Sequence, residues 1–147
     1  MKLYSISLFI LLGLLFNYNK NDSSFVYESI SQEKDLKQSI QDGEGVYSEF
    51  CMRCHLAKGE GVEGIYPPLA ESNWLSEKRT ESIKSVKYGL RGEIEVNGKT
   101  YNNNMTSMGL TDREVADVMN YIMNSFGNEN NEFDQVTLKE VSNLSKD

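Results

Sequence analysis

A chain of 147 residues with 39% apolar and 25% charged side chains has the material for one modest hydrophobic core and not for two. Its formal charge of −7, from 22 acidic against 15 basic residues, and the lack of any Lys/Arg-rich block argue against a nucleic-acid partner. Solubility accounts for the acidic balance, with docking to a basic partner as the alternative.

Met1 and Lys2 precede an apolar run from Leu3 to Phe16, 14 residues broken by Ser5, Ser7 and Gly13. A basic start followed by such a stretch is an export signal, shorter than the roughly 20 residues of a bilayer span. Asn17, Tyr18 and Asn19 stand where a small-x-small cleavage site would be, so residues 1–17 read as a signal peptide or an N-terminal membrane anchor. Residues 18–41 are polar, with Phe25, Val26, Ile30, Leu36 and Ile40 too scattered for a helix, and are expected to be a flexible tether. A folded domain over 42–128 and a tail over 129–147 complete the expected organisation.

Asp42 is a cap for a short helix that runs through Tyr47 and Phe50 into Cys51, with Gly43 and Tyr47 one turn apart as a small-then-large face. Gly59, Gly61, Gly64, Pro67 and Pro68 then make an irregular loop. Ser76 is expected to begin a helix carrying Ile83, Val86 and Leu90 at helical spacing and stopping at Gly89. Ile94 and Val96 alternate ahead of Asn97-Gly98, which predicts a tight hairpin leading to Tyr101. The clearest helix starts at Thr111, where Glu114 completes a capping box and Val115, Val118, Met119 and Ile122 form the apolar stripe; Gly127 is its stop. Thr137 and Glu140 make a second box ahead of Val141 and Leu144, a short helix in the tail.

Chemistry concentrates in Cys51-Met52-Arg53-Cys54-His55, a C-x-x-C-H motif in a chain with an export-like leader. Two thiols three positions apart on one helical turn can each add to a vinyl group of a single haem, and the adjacent imidazole then meets the iron. A structural zinc site needs four ligands and this chain has two Cys and one His. A disulfide or thioredoxin-like pair leaves His55 without a role. Because His55 is the sole histidine, a second imidazole on the iron is excluded within one chain. The sixth position is then a Met thioether or open to a small ligand. Of six methionines, Met105 and Met108 lie in the irregular stretch 102–109, where a loop can bring sulfur over a haem face.

In order along the chain, Gly43, Tyr47, the Cys51–His55 motif, Pro67-Pro68-Leu69, Asn97-Gly98, Tyr101-Asn102, Met105, Leu110-Thr111-Asp112, Tyr121 and Gly127-Asn128 resemble the class I cytochromes c, notably the small bacterial haem domains that occur as free carriers or fused to respiratory enzymes such as copper nitrite reductases. The resemblance implies an all-α fold with crossed N- and C-terminal helices around one covalent haem c, Gly43 and Tyr47 packing on Val118 and Tyr121, with the hairpin as an insertion. It implies that Pro67 or Pro68 offers a carbonyl to His55 and that Leu69 lines the haem edge. Register with Tyr101-Asn102 makes Met105 the sixth ligand, with Met108 as the alternative because Thr106 replaces the proline usual in relatives. Trp74, Tyr88, Arg91 and Tyr101 are candidates to pack on the ring or reach the propionates. The function implied is one-electron transfer between redox protein partners of a respiratory chain, periplasmic or on the outer face of the cytoplasmic membrane, with no substrate chemistry of its own. The alternatives are a five-coordinate sensor of small gases and a haem subunit of a dehydrogenase or reductase complex.

Overall fold

The computed structural model describes residues 33–146; the expected signal or anchor, and the tether as far as residue 32, lie outside the described residues. From Glu33 onward the chain makes one compact unit. Helix α1 spans Leu36–Val46, passes into a π-helical turn at Tyr47–Cys51 and continues as α2, Met52–His55. Helices α3 (Asn73–Glu77) and α4 (Arg79–Tyr88) follow, then strands β1 (Ile94–Val96) and β2 (Lys99–Tyr101), helix α5 (Asp112–Met123), a 3₁₀ turn at Asn128–Asn131 and helix α6 (Leu138–Ser142). This mostly helical architecture with one small hairpin agrees with the all-α fold that the resemblance implies. No helix among the described residues is long and apolar enough to cross a membrane.

Helix α1 starts well before the expected cap at Asp42. Asp35 is the N-cap, its side chain accepting from the Gln38 N–H at 3.0 Å, so residues 36–41 are helix and not tether. The physical reason is that α1 buries small and polar residues, Ser39 and Gly43, instead of an apolar stripe. Ser39 donates to Asp117 on α5 at 2.6 Å, Asn120 donates to Ser39 at 2.9 Å, and Lys34 reaches both Asp117 and Asp42 at 2.6 Å. Burying such groups is tolerable because each has its partner. Tyr47, Tyr121 and Phe126 close the far end of this crossing, with ring centroids 5.1–5.5 Å apart.

The helical stretch expected from Ser76 is two helices, starting at Asn73 and broken at Lys78, which sits outside helical geometry with ψ 47°. Asn73 trades backbone-to-side-chain hydrogen bonds with Asn97 in the hairpin turn at 2.8 and 3.0 Å, which ties the short α3 to β1–β2. The hairpin pairs Ile94 with Tyr101 and Val96 with Lys99 through Asn97-Gly98, both left-handed, and buries Val96 and Tyr101. Gly89 ends α4 as expected, whereas α5 stops at Met123, with Gly127 making the left-handed reversal four residues later.

The tail is part of the core. Val136 and Val141 are fully buried beside Val115, Val118 and Met119, and Asn120 clamps Val136 by accepting its N–H at 2.7 Å and donating to its carbonyl at 2.9 Å. Only half of the second capping box forms: Thr137 accepts from the Glu140 N–H, but the Glu140 carboxylate is held at 2.9 Å by both Nε and Nη2 of Arg79. The cohesive unit therefore runs past the boundaries expected at 42 and 128.

The first capping box is complete, and it sets a pH dependence. The Glu114 carboxylate accepts from the Thr111 N–H and hydroxyl, both at 2.8 Å, and these bonds hold its pKa below the ordinary carboxylate value. A depressed folded pKa stabilises the fold above the unfolded value, and that contribution is lost as pH falls through the folded one. Urea denaturation of Glu114→Gln at pH 7 and at about pH 3 should show a gap from wild type that narrows in acid. A gap independent of pH would assign the effect to packing.

Candidate haem site

Helix α2 delivers the motif. The π turn, in which the Met52 N–H bonds the Tyr47 carbonyl, shifts the helical register just before the cysteines, and Tyr47 Oη donates to the carbonyl of Leu56 at 2.6 Å where the chain leaves the helix with φ 64°. Cys51 and Cys54 are both free thiols, and both border a crevice made of two adjoining hollows. Before any bond is made at its sulfur, burial and then the neighbouring Cys54 push the Cys51 thiol up to about 11. Among the described residues no three His, Cys, Asp or Glu side chains converge as a metal site of zinc type.

His55 is 8% exposed and its Nδ1 lies 3.0 Å from the Pro67 carbonyl oxygen. A carbonyl only accepts, so Nδ1 carries the proton and Nε2 is left with the lone pair a metal needs. Burial lowers the pKa of His55, opposed by the Pro67 bond, which favours the neutral ligating form. Pro67 is the residue that makes this bond; Pro68 borders the inner hollow without it. The loop is held in place from below, where the Gly59 carbonyl accepts from the Leu69 and Ala70 N–H groups and the buried Asn128 donates to the carbonyls of Leu69 and Ile122 while accepting from the Ser72 N–H.

The two hollows share a wall of Cys51, His55, Pro67, Val86, Leu90, Ile94 and Met105. Pro68, Leu69 and Trp74 border the inner one; Cys54, Tyr101 and Met108 border the outer one. Every residue proposed from the sequence for the site therefore meets this crevice, except that Tyr88 and Arg91 border a different groove behind the Met105 loop, where Tyr88 Oη donates to the Leu144 carbonyl at 2.6 Å. Met105 is anchored by an isolated bridge to Leu90, giving and receiving backbone hydrogen bonds at 2.9 and 2.8 Å, whereas Met108 is 39% exposed. Met119 also borders the inner hollow, from α5.

In the sequence Val86, Leu90 and Ile94 read as ordinary helix and hairpin residues, and Phe50 and Ile65 carry no site signal; all five line the crevice. Val86 stands in the last turn of α4 and Leu90 just past its Gly89 stop, and their spacing of four in the sequence is the usable signal for a shared face. Two free thiols, an imidazole with its outer nitrogen available and a lining dominated by apolar side chains suit a flat, mostly apolar group that is bonded through sulfur and ligated through nitrogen.

Comparison with known proteins agrees with this donor set. The family model described as cytochrome c matches residues 40–126, more than half of the chain. A cytochrome c-552 of Thermus thermophilus is 40% identical over 91 residues, which cover 58% of this chain and 69% of that protein. A second cytochrome c-552 of the same species is likewise 40% identical over 91 residues, 58% of this chain and 61% of that protein. A fructose dehydrogenase cytochrome subunit of Gluconobacter japonicus is 27% identical over 92 residues, which are 59% of this chain and 19% of that protein. With the C-x-x-C-H helix, the His55–Pro67 bond and the apolar crevice in hand, these matches establish that the chain belongs to the cytochrome c family, as a class I member with a single covalent haem c.

Proposed function

We propose that this protein is a one-electron carrier with His55 and Met105 as axial ligands, exported and serving a respiratory chain between larger redox partners. The observation that carries the reading is the pairing of the chain's sole histidine, its Nδ1 engaged by Pro67, with a methionine loop bridged to Leu90 on the same crevice. The bound haem supplies the iron that changes valence. The protein's part is to hold the imidazole in one tautomer and make it more basic through the Pro67 carbonyl, and to keep water from the ring with Val86, Leu90 and Ile94. Ile65 and Met108, 45% and 39% exposed, flank the outer hollow and mark where a haem edge would come near solvent.

Of the two candidate thioethers, Met105 borders both hollows and Met108 only the outer one, which supports Met105. The optical spectrum of the purified oxidised protein is the test, through the weak near-infrared sulfur-to-iron band. The band is expected in wild type and Met108→Ala and absent in Met105→Ala. A wild type that lacks the band and takes up carbon monoxide readily when reduced would turn the reading to a five-coordinate haem.

The partial likeness to a dehydrogenase cytochrome subunit supports a second arrangement, in which the same haem domain works inside an enzyme complex. Purification from native membranes without detergent-stable partners would exclude that arrangement.

A further inference from the structure

The last turn of α4 and the residues that follow it, Lys87 to Leu90, are held from two sides. On one side they carry the Met105 loop: Leu90 and Met105 exchange two backbone hydrogen bonds, and Ser107 Oγ donates to the Lys87 carbonyl at 2.9 Å. Gly89 sits between them with φ 83°, and a Cβ there would lie 2.6 Å from the Met105 carbonyl oxygen and 2.9 Å from the Ser107 nitrogen, so turn and loop are in direct contact. On the other side the same turn is gripped by the tail. Lys87 Nζ donates to the Val141 carbonyl at 2.8 Å, and Tyr88 Oη donates to the Leu144 carbonyl at 2.6 Å. The tail is itself immobilised by the buried Val136 and Val141, by Asn120 and by the two-point Arg79–Glu140 pair.

We propose that the C-terminal segment from Val136 to Leu144, outside the family-matched residues, is a positioning element for the sixth iron ligand, acting through Tyr88 and the last turn of α4 on the Met105 loop. The inference rests on the His55/Met105 reading above. For the sulfur to leave the iron, the loop must part from Leu90 and Lys87, and it does so more easily if that turn can tilt away. The tail opposes the tilt by tying the turn to the core cluster that holds α5. Tyr88 is thus a positioning residue and not a ligand, and its hydroxyl acts two contacts away from the iron.

Imidazole added to the oxidised holoprotein binds iron only when the methionine has left, so its apparent affinity reports the open fraction of the loop. Tyr88→Phe removes one hydrogen bond and is expected to raise that affinity about fivefold, the factor that one net bond supplies, while the near-infrared band persists without imidazole. A chain ending at Asn143 keeps α6 and lacks the Leu144 carbonyl, and is expected to give at least the same rise. Asp35→Ala, which removes the cap of α1 far from this turn, lowers global stability without changing the affinity. Unchanged imidazole affinity in Tyr88→Phe and in the shortened chain overturns the proposal, as does an equal rise in Asp35→Ala, which would mean that stability alone is read out. Absence of the near-infrared band in wild type is a separate result: it removes the ligation reading itself, and the coupling to it falls with it.

Discussion

Gly43→Ala is expected to destabilise the protein by roughly 3 kcal/mol or more, at or beyond the upper end for overpacking. A Cβ at this position would lie 2.0 Å from the Asp117 carbonyl oxygen, 2.5 Å from its carbonyl carbon and 2.9 Å from the Tyr121 Cβ. Two of the three obstacles are helix backbone, which cannot rotate aside, so α1 and α5 would have to separate. Separation would also pull apart the Ser39–Asp117 and Asn120–Ser39 hydrogen bonds at the same crossing. Gly45 is the internal comparison: it lies in the same helix, exposed, and a Cβ placed there would meet nothing within 4 Å. Gly45→Ala should therefore stabilise by about 0.5–1 kcal/mol through helix propensity alone. Urea midpoints of the two variants beside wild type make the comparison; a loss under about 1 kcal/mol for Gly43→Ala would show that the crossing has slack. Because α1 runs into the turn that carries Cys51, Cys54 and His55, the same variant should also lower the yield of haem-loaded protein.

Met105→Ala should carry the largest functional effect, a fall in reduction potential on the order of a few hundred mV within the roughly 0.8 V that axial ligands can span. A thioether is a soft donor that favours ferrous iron, whereas the water that would replace it is a hard donor favouring ferric iron. Spectroelectrochemical titration of wild type, Met105→Ala and Met108→Ala separates the two loop methionines: Met108→Ala should stay near wild type, as its side chain is largely on the surface. An equal fall in both variants would indicate that the loop as a whole, and not one sulfur, sets the potential.

What could be read directly from the chain was whatever depends on local geometry. The Cys51–His55 spacing, the Thr111–Glu114 box, the Asn97-Gly98 turn and the stop at Gly89 each bring their partners within a few residues, so their chemistry is complete in the sequence. The same holds for the exclusion of a second imidazole, which follows from His55 being alone. The tertiary structure decided what depends on long-range partners. The start of α1 was illegible because the helix is bound by Ser39 and Gly43 to residues some 80 positions away, a polar and small face without hydrophobic periodicity. Which proline carbonyl meets His55 follows from the path of the loop, pinned by Asn128 from beyond α5. The tail looked peripheral because Val136, Val141 and Leu144 are sparse among polar residues, yet two of them are fully buried once Asn120 and Arg79 satisfy the backbone and the carboxylate around them. Local rules announce turns, caps and the haem motif; burial of polar groups is permitted only by partners that folding brings together.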